Sequence, residues 1–538
     1  METTNWQSEP DGRGTFSLIS SCIITLVFCV WSALHLNVPP PNTSSKRRAL
    51  EKTYWVIYGI FAPELVVATA ASQYIAARWL LREIEKDNEY KKQKTAESES
   101  EIWAMTQCFN AVMGGLTVTI PQGRFTLSAE GARLLSFIDA LPTVTASQIQ
   151  DKSKADGLAK SVVCIQAAWM MAQVITRLIS GLPVSLLEIN TCGHVICALF
   201  LYLLWWNKPL DLQDPLILED SAFEEMLPFM FTSSQIGADS KTGISKVRCL
   251  RYVGPAEVDQ PQELRQDSTL IYSEISIGST GLGNLSEFLG RKASFGGKDR
   301  TYLFKVCEGE ISSQCLSYFA DEYQCLRLRH GEVYCRQFMA TQQVSGGHFS
   351  TEYLSLIIKG ADRIWTELAA RPSYARYYFT ASPTIKSYYI GETDYLIKSA
   401  PNFPSLTNLS LGQVNISRDT LRYVFGFTAM AYGSLHLSGW NHHFPSRAER
   451  MLWVVSSITI AGSGMVLWAF FAIRKVLRKT PPVQDKPDPV LKWVYYGIIF
   501  VLVLVRVFLV VEAFISLRNA PTLLYTTPEW SDFFPHLS

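Results

Sequence analysis

The sequence lacks the short motifs by which many enzymes of lipid or nucleotide chemistry are recognised. It has no DDxxD motif, whose paired carboxylates would hold magnesium for a diphosphate substrate. It has no GxSxG nucleophile elbow either. The glycine-rich stretch Gly278–Gly290 has no Lys-Ser/Thr pair at the spacing of a phosphate-binding loop. We therefore interpret that stretch as a loop, and no reaction class is supported by a motif.

Net charge is also small, because 49 Lys and Arg residues balance 48 Asp and Glu residues to give +1. A nucleic-acid partner would favour a strongly basic chain, so none is expected. The hydrophobic fraction is 48% and the mean hydropathy is only +0.09. Because both values are only slightly raised, the apolar residues must be concentrated in blocks.

Histidines are few and scattered. The chain has eight, of which three lie together in HLSGWNHHF: His436, His442 and His443. Their spacing does not match an i, i+4 ligand pair on a helix, and membrane di-iron oxygenases gather a comparable number in three clustered boxes. We interpret the segment as an interfacial loop and expect no metal and no other cofactor.

The eleven cysteines do not form a metal or redox motif. Six fall in or near apolar segments, where a thiol behaves as a small hydrophobic group. Four of the others, from Cys307 to Cys335, are spaced about ten residues apart, which suits neither a zinc knuckle nor a CxxC pair. They would form disulfides in a lumenal region and remain thiols in a cytosolic one.

The clearest positive feature is the stretch Leu452–Ile473, about 22 residues without a charge between Arg450 and Arg474. At about 1.5 Å per residue it spans a hydrocarbon layer of about 30 Å, so it predicts a transmembrane helix. Similar stretches elsewhere predict a predominantly α-helical multi-pass membrane protein of about seven spans, six to eight, with an inserted soluble α+β region.

The predicted organisation has three parts. An N-terminal membrane block covers residues 1–210, a soluble α+β region covers 211–419, and a C-terminal membrane block covers 420–538. The predicted spans are 15–37, 54–77, 161–179 and 184–206 in the first block, and 421–438, 452–473 and 493–514 in the second. Pro63 and Glu64 interrupt the second span, and 421–438 is the weakest.

Other segments carry more local predictions. Leu80–Glu101 is dense in both charge signs and is interpreted as a solvated helix. Ala104–Ile120 is too polar for more than half a span and would be either re-entrant or packed on the bundle. A tight turn at Gly181-Leu182-Pro183 predicts an antiparallel helical hairpin. Trp205, Trp206 and Lys208 would end it as an aromatic belt with a snorkelling lysine.

Within the soluble region, Leu270–Ile277 and Thr301–Val306 alternate as strands do, whereas Ser350–Ala370 has helical spacing of apolar residues. The basic loop after Ile473 marks the cytoplasmic side. If 421–438 crosses the membrane, the soluble region is cytosolic. Three spans between the basic loop near Lys46 and residue 211 instead place it in the lumen, the side that we favour from the sequence. Four sequons favour lumenal exposure: Asn42, Asn284, Asn408 and Asn415. The basic loop that holds Asn42 is itself expected in the cytosol, which speaks against a glycan at that position.

Ionisable residues inside spans cost about 2.5–3.5 kcal/mol each on insertion scales, so each is a functional candidate. They are Glu64, Arg177, Glu188, His194, Arg506 and Glu512. The structural interpretation is intramembrane charge pairing, with Arg506 bound to Glu64 or Glu188 and with Arg177 and Glu512 near the interfaces. The functional interpretation makes Glu64, Glu188 or His194 a catalytic or proton-transfer residue. Glu188 and His194 lie about 240° apart on one helix, so they cannot form a local pair.

Several segments form a distinctive pattern: DKSKADGLAK from Asp151, Gln166-x-x-Trp169, Arg177 followed by GLPVSLLEIN, LLWWNKPLD, and APE ending at Glu64. This pattern resembles a family of polytopic membrane proteins, abundant in filamentous fungi and mushrooms, that has no established molecular function. The resemblance implies a fungal source and an integral membrane location. It also implies that Glu64, Arg177, Glu188, Trp206 and Lys208 recur in the family.

Three functions remain open. The first is a non-enzymatic scaffold, sensor or accessory factor in an endomembrane or the plasma membrane. The second is a membrane-embedded enzyme of cyclase or isomerase type, with a lipophilic small molecule as partner besides the bilayer. The third is a transporter or channel whose path Arg177, Glu188 and Arg506 would line, although the lack of an internal repeat argues against it.

Overall fold

The computed structural model describes most of both ends of the chain and selected positions between them. Towards the N-terminus it describes 2–9, 13–39, 43–94, 103–120, 123–150 and 157–210, and towards the C-terminus 418–477 and 489–527. Between them it describes 212, 214–218, 223, 225–227, 230, 251–253, 271–277, 300–307, 315–321, 360, 363, 367, 371, 379–381, 387–390 and 397–399.

Helices dominate the described residues. They are α1 (Thr15–Ala33), α2 (Ser45–Phe61), α3 (Pro63–Lys94), α4 (Met105–Val112), α5 (Ala129–Phe137), α6 (Ala146–Gln150), α7 (Gly157–Ile179), α8 (Leu186–Leu204), α9 (Arg418–Leu437), α10 (Arg447–Leu477) and α11 (Pro489–Ile515). The strands are β1 (Thr3–Thr4), β2 (Leu116–Ile120), β3 (Gly123–Leu127), β4 (Leu216–Ile217), β5 (Arg251–Val253), β6 (Ile271–Ile277), β7 (Arg300–Cys307), β8 (Cys315–Asp321), β9 (Phe379–Ala381), β10 (Ser387–Ile390), β11 (Ile397–Ser399) and β12 (Ala520–Pro521).

Several helices are long and apolar enough to cross a membrane, so the chain is a helical membrane protein. Among the described residues four helices meet this condition alone: Thr15–Ala33, Leu186–Leu204, Arg447–Phe470 and Trp493–Asn519. The pair α2 and α3 meets it only together. By helix length and composition, the described residues contain four candidate spans, or five if the bent pair is one span. The prediction of about seven spans is therefore not confirmed.

The predicted span 54–77 is divided into two helices, α2 and α3, at its predicted interruption by Pro63 and Glu64. The chain turns by 113° between α2 and α3. Pro63 has no backbone N–H and disfavours helical geometry at the preceding residue, and Ala62 accordingly leaves the helical region at φ −146° and ψ 62°. The sequence signal, Pro63, was visible, but the direction in which α3 continues depends on tertiary contacts.

The two ends of the helical bundle are distinguished by their contacts. At the first end, β1 pairs antiparallel with β12, which brings the two ends of the described chain together. The start of α8 joins them through an ion pair between Arg13 and Glu188, and the end of α7 joins through Arg177, which donates to the carbonyl of Leu524. The first end therefore holds the starts of α1 and α8 and the ends of α7 and α11.

The second end holds the opposite ends of several of these helices. Lys208, just after α8, donates to the carbonyl of His35, just after α1. Arg48, in the first turn of α2, donates to the carbonyl of Leu212 at 3.1 Å. Phe470 of α10 stacks near Tyr495 of α11, with ring centroids 5.7 Å apart. The starts of α2 and α11 therefore lie at the second end, with the ends of α1, α8 and α10.

Helices α9 and α10 pack closely along small residues. Gly426 faces Gly464, and Gly433 lies against the backbone of Ala461, so a Cβ at Gly433 would overlap it. Such small-residue contacts let helix backbones approach within a membrane. Thr428 of α9 also donates to the carbonyl of Glu64 at 3.4 Å, which attaches α9 to the helix break.

Outside the bundle lie two sheets, the end of α3 and the short helices α4, α5 and α6. A four-stranded sheet has the order β11-β3-β2-β4, and a six-stranded sheet has the order β6-β7-β8-β5-β10-β9. The strands predicted at 270–277 and 301–306 are present as β6 and β7. Of the predicted helix 350–370, positions 360, 363 and 367 are helical and the rest lies outside the described residues.

Two predictions for the segments around α3 need correction. Residues 104–120 form the eight-residue α4 and then β2, which pairs with β4 from beyond residue 210, so this segment belongs with the sheet rather than the membrane block. The end of α3 is not simply solvated, since Asp87 is buried. Arg371 donates to Asp87 Oδ1 at 2.9 Å and Ser136 to its Oδ2 at 3.0 Å.

Candidate functional site

The break between α2 and α3 places a charged pair inside the bundle. Glu64 lies in the first turn of α3, fully buried, where the helix dipole favours a negative charge. Arg506, near the middle of α11, donates through Nη2 to Glu64 Oε1. The alternative left open by the sequence is thus resolved: Arg506 binds Glu64. Within the described residues, Glu64 Oε2 and Arg506 Nε have no hydrogen-bond partner.

His194 of α8 lies against the same break. Its Nε2 is 2.8 Å from the carbonyl oxygen of Ile60, which the end of α2 leaves without an intrahelical donor. Its Nδ1 is 2.8 Å from the carbonyl oxygen of Asn190. A neutral imidazole has one N–H, so both bonds form together only when the ring carries a second proton.

Aromatic side chains surround His194 on the side of α9. Tyr432 packs edge-on against His194, at 5.6 Å between ring centroids, and against His436, at 4.6 Å. Nε2 of His436 lies 3.2 Å from the side-chain oxygen of Asn190, and Trp453 donates to the carbonyl of His436 at 2.9 Å. His436 is therefore a buried residue of the bundle. The prediction that the whole segment HLSGWNHHF is an interfacial loop is wrong for this residue.

A small cavity lies beside this group. It is lined by Gly59, Pro63 and His194 and by apolar side chains of α1, α3 and α8. Its volume is ≈ 10 Å³ for the centres of water-sized spheres. A single water needs about that much space, so the cavity has no room for a lipophilic substrate in this conformation.

Glu188, one of the catalytic candidates, lies at the first end and is fully engaged. Its Oε2 accepts from the backbone N–H and the hydroxyl of Ser185, each at 2.8 Å, and the hydroxyl of Ser185 accepts from the N–H of Glu188 at 3.1 Å. This is a capping box, which satisfies donors at the start of α8. Its Oε1 accepts from Arg13. Glu188 thus caps the start of α8 at the first end, whereas His194 lies at the break between α2 and α3.

Arg177 holds carbonyl groups rather than a carboxylate, so its assignment to charge pairing is corrected. Its guanidinium donates to the carbonyls of Pro183, Leu523, Leu524 and Thr526 at 2.8–3.3 Å. The planar fork of donors suits several acceptors at once. It fixes the turn between α7 and α8 to the segment after α11. Glu512 also lies near the first end, beside Glu449 and Arg518.

Lys208 is a buried polar residue that the sequence analysis misread. It is 3% exposed and does not reach the interface as a snorkelling lysine would. Its ammonium donates to the carbonyl of His35, to Asn37 Oδ1 at 3.0 Å and to Gln73 Oε1 at 2.9 Å, and it lies over the ring of Trp205. Burial lowers the pKa of Lys208 below its usual value. Only Trp206 of the predicted belt is exposed.

Other candidates lie partly outside what is described. The four sequon asparagines and Gly278–Gly290 fall outside the described residues. Within the residues that the structure describes, no three His, Cys, Asp or Glu side chains are placed to hold a metal ion. Six cysteines are free thiols: Cys22, Cys29, Cys108, Cys164, Cys192 and Cys197.

The chain matches one protein-family model over residues 1–537, described as a family of unknown function (DUF8562). No curated protein matches the sequence. No solved structure matches it either. The geometry of the site therefore has to carry any functional conclusion.

Proposed function

We propose that this chain, which belongs to the DUF8562 family, is a multi-pass integral membrane protein acting as a non-enzymatic scaffold, sensor or accessory factor. Its location would be an endomembrane or the plasma membrane, with the bilayer as its permanent partner. A fungal source and the inserted α+β region stay part of the proposal.

One observation carries the proposal: the charged groups inside the bundle join chain segments that are distant in sequence. Arg177 is the clearest case, since its donors are consumed by carbonyls up to 349 positions away. Glu188 has both oxygens bonded by Arg13 and Ser185. A general acid or base must reach a substrate proton, which an oxygen used in this way cannot do without breaking the cap.

The contacts at the two bundle ends support six crossing helices: α1, α7, α8, α9, α10 and α11. The pair α2 and α3 differs from them. Helix α2 starts at the second end, where Arg48 binds Leu212. Helix α3 has returned to that end at Gln73, which binds Lys208. Between these points lies the break at Pro63, deep in the bundle. We therefore interpret α2–α3 as a re-entrant pair, in which irregular backbone is tolerated because protein surrounds it.

The first test compares small molecules and lipids of the source organism with and without the gene, together with three variants. For a scaffold, Glu188→Gln lowers protein abundance, and no single precursor accumulates at the expense of one product. Glu85→Gln, an exposed residue of α3, is the control for a Glu-to-Gln change. An accumulating precursor, with Glu188→Gln or His194→Ala present at normal abundance, would instead establish the membrane-embedded enzyme.

A second candidate, a transporter or channel for protons or ions, is favoured by the helix break itself. Broken helices at membrane depth often form ion sites in transporters. Here the break brings Glu64, Arg506 and His194 together, and His194 can hold a proton between two carbonyls. The purified protein in liposomes containing a pH-sensitive dye tests it. Proton flux that is kept in Glu85→Gln but lost in the double variant Glu64→Gln with Arg506→Met, while that variant unfolds at the wild-type temperature, would replace the scaffold proposal.

A further inference from the structure

The basic residues of the membrane blocks gather at the second end of the bundle. Segments joined there contain Lys46, Arg47, Arg48, Lys52, Lys152, Lys154, Lys160, Arg474, Lys475, Arg478, Lys479, Lys486 and Lys492. Segments at the first end contain five: Arg13, Arg177, Arg447, Arg450 and Arg518. Short basic loops stay on the cytoplasmic side of a membrane, so this difference distinguishes the two ends.

The re-entrant pair changes the number of crossings before the central region. Counting 54–77 as a span would place the start of α2 and the segment before α7 on opposite sides. Since α2 begins and α3 returns at the second end, both segments lie on one side. The hydrogen bond from Arg48 to the carbonyl of Leu212 directly places the first residues after α8 beside the start of α2.

From these observations we infer that the second end faces the cytosol and that the whole region between α8 and α9 is cytosolic. This inference rests on the re-entrant arrangement and is independent of the scaffold role. It reverses the lumenal expectation from sequence. The termini, which pair through β1 and β12, then lie on the lumenal or extracellular side.

Two chemical consequences follow for residues of the connecting segments. Asn42, Asn284, Asn408 and Asn415 lie in segments joined at the second end, so they are not exposed to lumenal glycosylation. Cysteines 249–335 lie in a reducing compartment and remain thiols. The first half of α2, with exposed Lys46 and Arg47, is placed at the anionic headgroups of the cytosolic leaflet.

The test uses the full-length protein in sealed microsomes, whose outer surface is cytosolic. Epitope tags are inserted singly within 95–102, within 478–488, or at the C-terminus. We expect the first two tags to be accessible to protease without detergent and the C-terminal tag to be protected. If an insertion at 95–102 lowers protein abundance, an insertion at 151–156 replaces it, since it precedes α7 on the same side.

A glycosidase experiment provides an independent readout. Wild-type protein should show no change in mobility after deglycosylation, whereas a sequon appended through a spacer after Ser538 should be modified. The appended sequon shows that the protein passes a glycosylating compartment.

Each contrary result overturns a defined part of the inference. A protected tag at 95–102 beside an accessible tag at 478–488 would show that α2–α3 crosses the membrane. A protected tag at 478–488 with an accessible C-terminus would reverse the orientation while leaving the re-entrant pair intact. A glycan on wild-type protein, lost in Asn284→Gln or Asn408→Gln, would place the central region in the lumen.

Discussion

Arg506 and Glu64 form an ion pair across 442 positions of sequence, between the middle of α11 and the first turn after the helix break. It joins the C-terminal membrane block to the N-terminal one at the place where α2 ends. The pair is buried on both sides, with Glu64 fully and Arg506 largely inaccessible. The bundle therefore depends on a contact that neither block makes alone.

Glu64→Gln should destabilise the protein strongly, because it leaves the buried charge of Arg506 without its partner. Removing one member of a buried pair costs about 3–5 kcal/mol, whereas replacing both by neutral groups costs far less. We expect a large drop in the detergent-solubilised unfolding temperature for Glu64→Gln and recovery in the double variant with Arg506→Met. Glu85→Gln should change little. A Glu64→Gln protein as stable as wild type would show that the pair contributes nothing.

The sequence predicts a large part of this arrangement but not its partners. Periods of apolar residues locate α1, α8, α10 and α11, because an uncharged run of this length has few other stable environments. The partner of Arg506 stayed open, since sequence spacing does not tell which helices are neighbours. The break at Pro63 was visible, but a hydropathy window averages over it. Contacts of Gln73 with Lys208, Asn37 and Trp205, which the sequence does not reveal, bring α3 to the end of α8.

Lys208 illustrates the same limit. A lysine after two tryptophans is typical of an interface, and its sequence context has no sign of the oxygens that surround it. Those oxygens come from the segment after α1 and from α3, 135–173 positions away. What the sequence does contain is a cluster of polar residues, such as Asn37 and Gln73, at the same end of two apolar segments.

Lys208→Met should therefore destabilise the second end. The methionine fills a similar volume but removes a donor shared by the carbonyl of His35, Asn37 Oδ1 and Gln73 Oε1. Asn37 Oδ1 keeps the bond from Gln73 Nε2, and Gln73 Oε1 keeps the bond from Trp205 Nε1, so the expected loss is about 1–3 kcal/mol in all. Lys92→Met, at an exposed position of α3, is the matched control. Thermal unfolding and protein abundance measure the difference. If both variants behave like wild type, Lys208 does not join these segments.

The contact between α9 and α10 gives a prediction with an internal control. Gly433→Ala places a Cβ against the backbone of Ala461, which cannot move away as a flexible side chain could. Overpacking of this kind costs about 1–3 kcal/mol. Gly462→Ala, on α10, meets open space and should be neutral. Unfolding temperatures of the two variants measured side by side test the packing, and equal values would contradict it.

His442, in the loop before α10, should make the first end sensitive to acid. The pKa of His442 is lowered to about 4, chiefly by burial; Glu188 opposes this shift, and the neighbouring His443 adds to it. An unfolded chain takes up the proton near pH 6.5, so the free energy of unfolding falls as the pH drops from about 6.5 towards 4.

The slope from this one group is at most about 1.4 kcal/mol per pH unit. His442→Asn should therefore lose less stability than wild type between pH 7 and pH 4.5, when unfolding temperatures are followed across that range. The same substitution at the adjacent residue, His443→Asn, controls for general effects of changing a histidine in this loop. Parallel curves for wild type and His442→Asn would show that His442 takes up its proton at the same pH in the folded and the unfolded protein, so that burial does not lower its pKa.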